Sequence, residues 1–168
     1  MRSTILLSRL AAGIFLAAGL TNQTTAHEYQ VGPLTVDHPH SFPAPAVAPS
    51  GLAFFTITNT GETADRLIAV EVPAVEGTSL HRTELGDDGI ARMLPQADGI
   101  EILAGETVVL EPGGLHVMLE GLGGDALEEG ERLPATLIFE RAGPLEVEIS
   151  VDARDADAPE VDHSAHGH

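Results

Sequence analysis

The chain has no cysteine and no lysine, and its few positive charges are all arginine. Without cysteine no disulfide can staple the fold. Thiolate zinc or copper sites are excluded as well, and with them the electron-transfer role of a blue-copper protein, which needs a cysteine thiolate. Eight arginines face 26 Asp and Glu, for a formal charge of −18. Such a surface repels nucleic acid and anionic membranes, and it favours cations and basic protein partners. Solubility alone would also account for it. A catalytic apparatus is missing too: there is no convincing Ser-His-Asp arrangement and no phosphate-cradling glycine loop, and Glu128-Glu129 reads as a solvated loop pair.

Long apolar runs are equally scarce. One lies in the first 26 residues, where Arg2 and Arg9 precede the 11-residue stretch Leu10 to Leu20 and Thr24-Thr25-Ala26 ends on a small residue. That length is too short to span a bilayer as a helix and suits a cleaved signal helix, with a membrane anchor as the alternative. Cleavage near Ala26-His27 defines three segments: a signal peptide (1–26), one domain (27–151) and an acidic tail (152–168). The mature chain would keep six arginines against the same 26 acidic residues, a net charge of −20. It is expected to be soluble and periplasmic.

What is present reads as all-β. Alternating, β-branched stretches fall at 52–58, 66–72, 77–84, 107–110, 115–119, 133–140 and 145–151. Turn signals separate them, among them Asn59-Thr60-Gly61, Asp87-Asp88-Gly89 and Pro112-Gly113-Gly114. No segment after the signal has a helical period. The spacing predicts a sandwich or barrel. Proline-rich His38 to Ser50 is expected to be an extended loop before the first core strand, and residues 152–168 to be disordered.

Only two methionines follow the initiator, Met93 and Met118, and Met118 stands two residues after His116. On a strand, side chains at i and i+2 share a face. An imidazole and a thioether would then project together, a pairing suited to soft Cu(I) and poorly suited to zinc. His81 ends another strand stretch, and Met93 lies just past the Asp87-Asp88-Gly89 turn. A hairpin there makes 77–84 and 90–94 neighbours and lets His81 approach Met93. Spacing alone leaves two readings open: four convergent donors, or packing methionines and hydrogen-bonded histidines.

Four segments carry a resemblance: Leu34-Thr35-Val36-Asp37-His38-Pro39, Phe55-Thr56-Ile57-Thr58-Asn59-Thr60-Gly61, Leu80-His81-Arg82-Thr83-Glu84 with Asp87-Asp88-Gly89, and Glu111-Pro112-Gly113-Gly114-Leu115-His116-Val117-Met118-Leu119. Over 27–151 the chain resembles the periplasmic copper chaperone family PCuAC. The resemblance implies a cupredoxin-like Greek-key β-barrel or sandwich. It implies a shallow Cu(I) site at His81, Met93, His116 and Met118, and delivery by ligand exchange to a copper acceptor, such as a cytochrome oxidase subunit or another copper chaperone. Three departures stand out. Twenty-two residues separate Met93 from His116, with Pro95 to Asp98 as the insertion. Arg82, Leu85 and Ala91 stand where many relatives carry extra methionines, and His40 stands where an aromatic residue is frequent.

His163, His166 and His168 form a candidate accessory site for Cu(II) or Zn(II), as imidazole suits both. His27, if it becomes the first residue, could chelate Cu(II) with its free amine, or pair with another histidine as in copper oxygenases; no body histidine is obviously free for that enzyme role. His38 and His40 read as structural or weakly accessory. Copper buffering without a dedicated target is the remaining rival.

Overall fold

The computed structural model describes residues 28–154. The expected signal peptide, His27, and the tail histidines His163, His166 and His168 lie outside the described residues. Within them the chain is all-β, as the composition predicts, and no helix is present. Eleven strands form: β1 (Glu28–Val31), β2 (Leu34–Ser41), β3 (Ser50–Asn59), β4 (Asp65–Glu71), β5 (Gly77–Leu85), β6 (Ala91–Pro95), β7 (Ile100–Ile102), β8 (Thr107–Val109), β9 (Leu115–Glu120), β10 (Arg132–Phe139) and β11 (Gly143–Val151).

They make one open sheet in the order β6-β5-β9-β3-β2-β11-β10-β4-β7, with β1 added to β2 and β8 to β3. All pairings are antiparallel except β2 with β11. The sheet curls until Thr78 of β5 donates its hydroxyl to the Val70 carbonyl of β4. Alternation puts Ala53, Phe55 and Ile57 of β3, Val117 and Leu119 of β9, and Leu133, Ala135, Leu137 and Phe139 of β10 into one buried core. Each such Leu, Ile or Phe contributes roughly 1.5–3 kcal/mol by leaving water.

The stretch after His38 departs from expectation. It is not a loop until Phe42, because Leu34 to Ser41 is a core strand with Leu34, Val36 and Ser41 fully buried. A proline disguises it. Pro39 sits at a register shift between Asp37 and His40, where β2 gains one residue against β3 and His38 adopts φ 49°. A bulge tolerates proline because the ladder is already interrupted there.

Buried polar groups at one end of the sheet are fully satisfied. The Asn59 amide donates to the carbonyls of Thr63 (2.9 Å) and Ile102 (3.2 Å) and accepts from Gly61 N–H (3.0 Å). The Asp65 carboxylate accepts from the backbone N–H groups of Arg66 (2.7 Å), Arg141 and Ala142 (both 2.9 Å). These contacts clamp the turn after β10 to the start of β4.

Candidate metal centre

The site is built from three adjacent strands, β6, β5 and β9. The Asp87-Asp88-Gly89 turn closes the β5–β6 hairpin, with Gly89 at φ 75° and Gly86 N–H donating to the Ile90 carbonyl at 2.9 Å. An Asp88–Arg92 ion pair at 2.5 Å braces it and holds the Asp88 carboxyl below the usual carboxylate range. The hairpin register pairs Thr83 with Met93 and His81 with Pro95. The β5–β9 register pairs His81 with His116 and Ser79 with Met118.

Side chains directly opposite in a ladder share a face, and so do alternate residues along a strand. His81, Ser79 and Thr83 of β5 therefore face the same side as His116 and Met118 of β9 and Met93 of β6. The core residues Leu80, Val117 and Leu119 face the other side. His81 is central on that face: His116 stands directly across from it, and Met118 and Met93 lie on opposite diagonals.

The two imidazoles are 5.9 Å apart between ring centroids. His116 is buried, at 2 % exposure, and its Nδ1 lies 3.1 Å from the Gly114 carbonyl. A carbonyl only accepts, so Nδ1 carries the proton and Nε2 presents a lone pair. That Nε2 has no hydrogen-bond partner, and neither does the buried Nδ1 of His81. These two nitrogens are the buried side-chain nitrogens or oxygens left unmatched among the described residues. Burial drives the His116 pKa below its ordinary value; the Gly114 contact opposes this and the neighbouring His81 reinforces it. The ring is thus neutral near pH 7, as a metal ligand must be.

The donor set fits a soft monovalent ion. The centroid separation leaves room for one ion bound at about 2 Å by each nitrogen. Met93 is 44 % exposed while His116 is buried, so the donor face grades from interior to solvent across three strands. Among the described residues no group of three or more His, Cys, Asp or Glu could hold a metal ion, so this face lacks the cluster of carboxylates that a hard ion would need.

The other described histidines lie elsewhere. His38 and His40 sit on β2, two strands from β9. Their rings stack at 4.5 Å, His40 Nδ1–H donates to the His38 carbonyl at 2.9 Å, and His38 Nε2 lies 3.5 Å from an Asp152 carboxylate oxygen. Both rings are engaged at the bulge by these contacts. Sequence reasoning did not foresee the ring-fixing carbonyl of Gly114, though the Gly113-Gly114 turn two residues before His116 was visible.

Fold and donor face together define a PCuAC-type β domain. The copper-bound PCuAC domain from PmoF2 superposes with a TM-score of 0.63 at 25% identity, covering 76% of this chain and 99% of that one. The apo PCuAC domain from PmoF1 gives 0.61 at 30% identity, covering 76% and 100%. The CuI form of DR1885 from Deinococcus radiodurans gives 0.55 at 25% identity, covering 77% and 83%. The chain belongs to the family described as "Putative lipoprotein LpqE-like", whose model matches residues 34–151. A curated relative from Leifsonia xyli subsp. xyli, also named as a lipoprotein (Lxx21020), is 34% identical over 99 residues. The match takes in 59% of this chain and 58% of that relative, so the chain spans little more than half of that relative's length.

Proposed function

We propose that the protein is an exported Cu(I)-binding metallochaperone and not an enzyme, with copper as cargo held by His81, Met93, His116 and Met118. One observation carries the reading. Two buried imidazole nitrogens lie unmatched, on rings facing each other across β5 and β9, on the face that also bears both methionines. A folded domain normally satisfies such atoms. An ion that accepts both lone pairs supplies what the protein leaves out. Copper bound in related PCuAC structures supports the same reading.

Thioethers are neutral donors and hold copper less firmly than thiolates, so transfer by ligand exchange is open. An acceptor's donor enters beside the exposed Met93 before the buried His116 lets go. The acceptor is a copper-receiving protein such as a cytochrome oxidase subunit or another copper chaperone. The acidic surface steers a basic acceptor, with an effect that weakens as salt rises. The tail histidines His163, His166 and His168 form an accessory Cu(II) site. On this reading the segment 1–26 is the signal that exports the domain to the periplasm.

The deciding experiment is Cu(I) titration of the protein beside the Met93→Leu/Met118→Leu double variant. One Cu(I) per chain, with affinity reduced in the variant, is expected. Unchanged stoichiometry and affinity would remove these residues from the site. Deletion strains separate delivery from buffering: loss of oxidase activity at low copper marks a chaperone, and death at high copper marks a buffer.

A further inference from the structure

Strand β6 ends the sheet, and all five of its residues are exposed. Two hydrogen bonds fix which way its backbone points. Gly86 N–H donates to the Ile90 carbonyl at 2.9 Å, and Gln96 N–H donates to the Leu80 carbonyl at 2.8 Å. Antiparallel ladders alternate between hydrogen-bonded and non-hydrogen-bonded pairs. Between those two anchors, Arg92 and Leu94 turn their N–H and C=O groups toward β5. Ala91, Met93 and Pro95 turn theirs away, onto an edge with no further strand among the described residues. Short length and a terminal proline are devices that restrain such an edge. Here they leave two outward N–H donors, on Ala91 and Met93, two residues apart.

We propose that this edge docks the copper acceptor by strand addition, the added strand being an extended basic segment. Main-chain pairing to Ala91 and Met93 sets its register. A residue opposite Met93 then lies on the donor face, with its Cα about 5.5 Å from that of Met93. A Met or His at that place enters the coordination sphere beside the most exposed donor. Charge decides between possible occupants. Arg92 is paired with Asp88, whereas Asp87 at the turn and Asp98 beyond the other end are exposed carboxylates. A second copy of this chain brings the same acidic charge and is repelled; a lysine- or arginine-bearing strand is attracted. The inference rests on the copper-transfer reading for the identity of the partner, but its test is read on the protein without copper.

The probe is a nine-residue peptide of alternating Lys and Val with a central Met, beside a counterpart with Glu for Lys. Amide hydrogen exchange is followed on the full chain. The Lys peptide is expected to slow exchange at Ala91 and Met93 at least tenfold, with Arg92 and Leu94 unchanged and no slowing by the Glu peptide. Ala91→Pro removes one outward donor without touching a β5 bond, so it should abolish the protection of Met93 while Cu(I) stoichiometry stays at the wild-type value. Unslowed exchange at Ala91 and Met93 in the wild-type protein, or equal slowing by both peptides, would overturn the proposal. So would concentration-dependent protection without peptide, which would assign the edge to a second copy. If the wild-type protein fails to bind Cu(I) yet the Lys peptide protects the edge, the strand-addition surface stands and the copper reading falls.

Discussion

Among the places where this domain buries polar side chains, two treat them in opposite ways. Around Asn59 and Asp65, every buried oxygen or nitrogen has a partner on the chain itself. Around His81 and His116, two buried nitrogens have none. An unmatched buried group costs about 1–3 kcal/mol, so the fold tolerates at one place what it avoids at the other. The first cluster is complete and serves architecture. The second is incomplete and is poised for something from outside.

The contrast can be broken most forcefully at Asp65. Asp65→Ala strips the partners from the Arg141 and Ala142 N–H groups, and should lower unfolding stability by about 3 kcal/mol, read from urea denaturation, while Cu(I) stoichiometry stays at one. Next comes His116→Leu, the mirror experiment. Copper affinity should fall about 100-fold, or about 2.7 kcal/mol, yet apo stability should hold or rise, because a ring with one unmatched nitrogen is replaced by an apolar side chain while the Gly114 carbonyl keeps the Thr83 N–H at 3.0 Å. Equal destabilisation by both variants would erase the distinction. Met93→Leu and Met118→Leu should each weaken Cu(I) binding about tenfold, or about 1.4 kcal/mol, without moving the thermal midpoint.

The smallest effect is that of pH. Burial lowers the folded pKa of His116, so the unfolded chain binds more protons in the window just below the ordinary imidazole value of about 6.5. Apo stability should be full above that value and decline as pH falls through the window. In His116→Leu the decline should be smaller.

The β5–β6 hairpin was legible from Asp87-Asp88-Gly89 between two alternating stretches, and with it the approach of Met93 to β5. Local chemistry sufficed there because three turn residues fix the register. The pairing of β9 between β5 and β3 is a different matter. It joins His116 to His81 across 34 intervening residues, and nothing local encodes which strand sits beside which. Only the family resemblance brought those rings together beforehand. Strand β2 was hidden by Pro39, whose usual meaning in a central strand is reversed by the bulge at His38. The outward-turned amides of β6 depend on ladder phase, which becomes readable once Gly86–Ile90 and Gln96–Leu80 are seen to bond.

The atom that orients His116 is a main-chain carbonyl, that of Gly114, in a turn where Gly114 N–H bonds back to the Glu111 carbonyl at 3.0 Å and Gly113 sits at φ 81°. No side-chain replacement can delete it. Adjustment of that one contact must come from reshaping the loop between β8 and β9, one residue of which is held to glycine by its backbone angle, whereas burial and His81 act on the ring through side chains. The tautomer of one metal-facing ring is thus written in chain path, where mutation of side chains does not reach it.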